Sequence, residues 1–159
     1  MWEDIGRLEG EIGELVRDAC EYQDDTFQSH PGYYIDYFEM RMKQLSILHN
    51  LHYEAKRIRM IPAQAQIIAD YIRYLSDYVV EHNSPEEQIG KLEQIFIDMK
   101  DEPLPGSREE FENRAVLYHI LMDLEEFLIM KRRFINGLNE KQRELYWKDE
   151  KTDKEAAKR

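Results

Sequence analysis

The chain has 159 residues, 42% of them apolar and 35% charged, with only seven glycines and five prolines. That is one domain's worth of chain with a real core, in a balance that fits amphipathic helices and leaves too few turn residues for an all-β fold. The 33 acidic against 22 basic residues give a net charge of −11, and residues 1–135, with 15 basic against 27 acidic, carry −12, which repels nucleic-acid phosphates and excludes a basic binding stripe.

The first helix carries Ile5, Leu8, Ile12, Leu15 and Ala19 at alternating steps of three and four, which predicts an inward stripe. Gly6, Gly10 and Gly13 weaken it, each by up to about 1 kcal/mol against alanine. Cys20, the only cysteine, excludes an intrachain disulfide and a cysteine-based zinc site. Beside Ala19 it reads as a buried, inert thiol. Ser29-His30-Pro31-Gly32 ends this helix.

The second helix spans about Tyr33 to Met60 with Phe38, Met42, Leu45 and Leu48 inward, and Pro62 breaks it from the third. Ala65, Ile68, Ile72, Leu75 and Val79 define the third. Ser84-Pro85-Glu86-Glu87 has the pattern of a capping box and starts the fourth, with Ile89, Leu92, Phe96 and Met99 inward. After Pro103-Leu104-Pro105-Gly106, a second such pattern, Ser107 to Glu110, opens the fifth helix, which runs to about Ile135. Asn136-Gly137 ends it. The expected fold is all-α, an up-down antiparallel bundle of about five helices over residues 1–135, followed by a polar tail at 136–159 that is helical through Leu145-Tyr146-Trp147 and then frays.

No stretch approaches the roughly 20 apolar residues of a membrane span, and the N-terminus lacks the basic-then-apolar order of a signal peptide. The expectation is a soluble domain.

At 100° per residue, the apolar face of the fifth helix centres on Tyr118, Leu121 and Leu128, and Arg114, Glu125 and Arg132 share that centre. The second helix places His49, His52 and Lys56 among its apolar residues, with Arg41 at the edge. Buried charge is costly unless paired, so an Arg41–Glu125 ion pair is expected between the two antiparallel helices. A carboxylate ligand could instead meet Arg41 or Arg114, with Glu125, Tyr37 and Tyr118 beside it.

His49, His52 and Glu125 are the weak metal candidates. A diiron bundle needs Glu-x-x-His on two helices, and no histidine here has a glutamate three residues earlier. His119 and Asp123 share a face directed away from the predicted core. Phosphate loops, nucleophile elbows and His-Glu-x-x-His are missing too, so no enzyme, metal or cofactor is expected. The runs Lys56-Arg57-x-Arg59 and Lys131-Arg132-Arg133 read as solvated helix C-termini.

The stretch from Pro105 to Leu128, Tyr37 to Leu48, and the helix from Pro62 to Val79 with Gln66 together resemble the C-terminal domain of the aromatic acid exporter family of Gram-positive bacteria, membrane proteins of the fusaric-acid-resistance type. The resemblance is specific in the fifth helix. Arg41, Arg108, Glu110, Phe111, Glu112, Arg114 and Glu125 match its characteristic blocks. It implies a non-catalytic domain on the cytoplasmic side of the cell membrane, serving assembly or regulation of transport, with the N-terminal transmembrane half of the parent as partner and a homo-oligomer plausible. A ligand-sensing bundle is the alternative. If the first helix continues from a membrane span, Lys56, Arg57 and Arg59 come to the membrane-facing end.

Overall fold

The computed structural model describes residues 2–25, 32–58 and 63–147. Among these residues six helices follow one another: α1 (Trp2–Asp25), α2 (Tyr33–Ala55), α3 (Ala63–Ser76), α4 (Glu86–Lys100), α5 (Arg108–Gly137) and α6 (Glu140–Tyr146). Among the described residues there is no strand. The all-α bundle is what the spacing predicts. Pro62 and Arg59 lie outside the described residues.

α2 and α5 form the central antiparallel pair. Gln44 Nε2 donates to the Phe127 carbonyl at 2.8 Å, and ten residues further along α2, Glu54 meets His119. α1 packs along α2, while α4 lies on α5 and α3 touches both. Leu117, Leu121, Leu124 and Leu128 supply the spine of α5, with Ile47, Leu51, Ile68, Tyr71, Leu75 and Leu92 closing around it. Because three helices cover α5, its buried arc is broad and its buried residues run from Asn113 to Phe134.

Several expected stripes are rotated. On α1 the half-buried positions are Glu9, Ile12, Val16 and Ala19, while Leu8 and Leu15 are exposed. Cys20 falls on the outer side and is exposed, not buried. On α3, Tyr71 is buried in place of Ile72, which is exposed, and the helix ends at Ser76, so Val79 falls in the exposed loop beyond it. On α5, Tyr118 is 39% exposed and packs edge-to-face on Phe96 at 5.3 Å.

Caps set the entries. Ser107 accepts from the Glu110 amide, while the Glu110 carboxylate accepts from the Gly106 amide, so the fifth helix has a working cap one residue wider than the usual box. Ser84 does not cap α4, whose N-cap is Pro85 with no side-chain bond. Gly32 takes the left-handed conformation (φ 70°) at the start of α2, which only glycine adopts without strain. α6 has a full capping box between Asn139 and Gln142.

The second cluster holds α6 to the bundle. Tyr33 is buried, stacks on Tyr146 at 4.3 Å, donates to Glu81 at 2.9 Å and accepts from the Trp147 indole at 3.1 Å. Burial, and then the Glu81 hydrogen bond, push its phenol well above the ordinary range.

Candidate functional site

The α3–α4 loop closes over one end of the α2–α5 pair. Lys131 is the buried cation of α5, 4% exposed, and its ammonium donates to the Val80 carbonyl and to Asn83 Oδ1. Asn83 in turn donates to the Tyr78 carbonyl at 2.8 Å. The same Val80 carbonyl accepts from Arg41 at 3.0 Å, and Arg41 also donates to Tyr37 Oη at 3.0 Å and Gln44 Oε1 at 2.9 Å. Two cations therefore share one loop carbonyl. Burial, then repulsion from Arg41, push the Lys131 ammonium down to about 7, against an upward pull from Glu81.

This arrangement corrects two expectations. Gln44 sits level with Phe127, so Arg41, one turn earlier on α2, lies level with Lys131. Glu125 lies six residues earlier on α5 than Lys131, and among the described residues Arg41 makes no ion pair with it. The buried charge is Lys131, one step beyond Leu128 on the leucine spine, and not part of a solvated helix end as the Lys131-Arg132-Arg133 run suggests.

Arg114 works at the opposite end. It pairs with Glu110 at 2.6 Å, donates to the Pro103 carbonyl at 2.6 Å and approaches Glu102 at 3.7 Å. The Gly106 amide and Arg114 hold the Glu110 carboxyl below its ordinary range. Arg132 faces Glu86 at 3.9 Å and is not buried. The proposed ligand group is thus split: Tyr37 and Arg41 stand together, Arg114 and Tyr118 lie elsewhere, and Glu125 joins neither.

His49 faces Glu9 on α1 at 3.7 Å and stacks on Tyr53, which also meets the edge of His52. Neither joins Glu125 in a metal-capable group. Among the described residues the one such group is Glu54, His119 and Asp123, whose ligand atoms lie within 4.8 Å of one another. Burial and the Glu54 charge raise the Asp123 carboxyl, and Glu54 raises the His119 imidazole. Sequence reading paired His119 with Asp123 and missed Glu54, which only the α2–α5 register brings in.

Among the described residues, hollows open to the surface toward both ends of the α2–α5 pair. One, of about 310 Å³, is lined by Met40, Met130, Phe134 and Leu138, with Lys43 and Arg133 opposed by Asp36 and Glu39. Another, about 610 Å³, lies at the end of α2 between Lys56, Arg57, Phe111 and Glu112. Lys56 and Arg57 are exposed there, beyond the point where His49 of α2 meets Glu9 near the start of α1. The cavity touching Arg41 and Lys131 is only about 10 Å³.

A family model described as "Putative aromatic acid exporter C-terminal domain" matches residues 2–132. The chain belongs to this family. Exporter C-terminal domains are transport-associated parts of membrane proteins, and among the described residues of this one no helix is long and apolar enough to cross a membrane. It is 30% identical over 128 residues to "Uncharacterized protein YqjA" of Bacillus subtilis (strain 168), an alignment taking in 78% of this chain and 40% of that protein. The exporter domain thus spans about two fifths of the length of that relative. A crystal structure described as a "putative membrane protein from Clostridium difficile 630" has the same fold, with a TM-score of 0.73 and 26% identity over 84% of this chain and 79% of that one.

Proposed function

We propose that the chain is a non-catalytic domain on the cytoplasmic side of an aromatic acid exporter and serves assembly or regulation of transport. The observation that carries this reading is how the buried Lys131 and the half-buried Arg41 and Arg114 are used. Arg41 and Lys131 are consumed by the Val80 carbonyl, and Arg114 by Pro103 and Glu110. The space left beside Arg41 and Lys131, about 10 Å³, is room for a single water at most. These charges pin loops across helix ends, which suits a rigid body that transmits position. The bundle over residues 1–135 is the unit that would do so, beside the transmembrane half of the parent and in a homo-oligomer.

Lys56 and Arg57 support an orientation for it. They share an end with the start of α1, so a first helix entering from the membrane brings both toward anionic lipid. Removing this domain from the parent exporter should leave the membrane half inserted but change its oligomer size or its transport of an aromatic carboxylate. Unchanged assembly and unchanged transport would contradict the proposal. Charge reversal at Lys56 and Arg57 should weaken binding of a membrane-tethered chain to anionic liposomes, and unaltered binding would remove the orientation.

Ligand sensing is the second reading, favoured by the 310 Å³ hollow. Its apolar floor offers Lys43 and Arg133 to an aromatic carboxylate, at residues other than Arg114, while Asp36 and Glu39 on the same lining oppose a bound anion.

A further inference from the structure

We propose that Glu54, His119 and Asp123 form a site for a single zinc-like divalent cation that ties α2 to α5. Glu54 comes from α2, and His119 and Asp123, four residues apart, from one face of α5. Each offers a ligand atom, all within 4.8 Å of one another. Ligands at about 2.1 Å around a tetrahedral ion stand roughly 3.4 Å apart, so small side-chain rotations close the set. His119 Nδ1 already lies 2.6 Å from Glu54 Oε1.

A second observation points to an occupant. Glu54 Oε2 and Asp123 Oδ2 are both buried and accept no hydrogen bond. Buried carboxylate oxygens are ordinarily satisfied, and two of them beside one imidazole lack donors a cation would replace. The Glu54 side chain is 17% exposed and that of His119 58%, so the group has a closed inner side and an open outer one. An ion can enter from solvent, and water can complete its coordination.

The donor set selects the ion class. One imidazole nitrogen and two carboxylates suit zinc or a neighbouring first-row dication. Calcium takes six to eight oxygens and magnesium keeps most of its water, so neither is favoured by three ligands that include a histidine. The site's role is to clamp the central helix pair near the end where α1 begins. It goes beyond the assembly reading and does not depend on it.

The test uses the untagged chain carrying Cys20→Ser, so that the exposed thiol takes no metal, stripped with chelator and titrated with zinc chloride by calorimetry and thermal melting. One zinc per chain and a raised Tm are expected, with affinity falling about tenfold or more in His119→Ala and in Asp123→Asn. His82→Ala, at an exposed histidine elsewhere, should bind as the parent does. No stoichiometric zinc, equal zinc affinity in His119→Ala and Asp123→Asn, or magnesium binding as tightly as zinc would each overturn the site. Because His119 is mostly exposed, its variant folds and keeps the test decisive.

Discussion

Lys131 has its amine in a place where the charge is disfavoured, yet its donors are used. Arg41 from α2 and Glu81 from the α3–α4 loop are the charges that face it, with opposite effects. Its value in the fold, about 7, lies below the ordinary 10.5, so between those limits the unfolded chain binds the extra proton. Stability conferred by the neutral amine is present above that window, falls as pH drops through it, and is gone below about 7. Lys131→Met should therefore flatten the rise of denaturation free energy between pH 7 and pH 9.5. The comparison stops there because the buried Tyr33 and Tyr71 phenols act in the opposite direction at higher pH. An unaltered pH slope in the variant would show that Lys131 is not the titrating group. Arg114→Ala, which strips a charge-assisted bond from Glu110 and a donor from the Pro103 carbonyl, should cost about 2 kcal/mol in urea denaturation.

At the scale of elements, capping separates two serines that look alike in sequence. Ser107→Ala should cost about 1 kcal/mol because its oxygen accepts from the Glu110 amide. Ser84→Ala should cost nothing measurable, since Ser84 makes no cap bond to α4. Equal losses in paired melts would refute the distinction. Glycines separate in the same way: Gly10 in α1 has open space around an added Cβ, so Gly10→Ala should stabilise by up to about 1 kcal/mol. Gly32→Ala should destabilise by about the same amount, because its φ of 70° strains any other residue.

The helices were legible because steps of three and four, breakers at Pro31-Gly32 and Pro103 to Gly106, and the Ser107 cap agree with one another. The phases were less so. A single-face average presumes one buried face, whereas α2 lies between α1 and α5, and α5 is covered by three helices. That averaging counted Tyr118 as core and set Lys131 aside. The true stripe of Leu117, Leu121, Leu124 and Leu128 was readable, and Lys131 is its next member. Inter-helix register was not readable at all. It decides that Arg41 meets the Val80 carbonyl and not Glu125, and that Glu54 joins His119.

For the whole molecule, the loops at both ends of the central helix pair are held by its cations. Arg41 and Lys131 grip the α3–α4 loop, and Arg114 grips the α4–α5 loop. Charge placed on a greasy face thus fixes where loops sit, and does so without an open cavity at Arg41 or Lys131. Such a body suits an exporter C-terminal domain that positions or couples other parts of its protein. The sensing alternative needs the same helices to admit a ligand, and it places that ligand at Arg133 and Lys43 instead.

The central claim, that Arg41 and Lys131 bind the chain's own loop and not a ligand, is tested most directly by thermal shift of the domain against a panel of aromatic carboxylates, repeated with Arg41→Ala and Arg133→Ala. The account predicts a flat ligand response in the parent, with Arg41→Ala melting lower whether or not a carboxylate is present. A carboxylate-dependent rise in Tm that Arg41→Ala abolishes and Arg133→Ala leaves intact would contradict it.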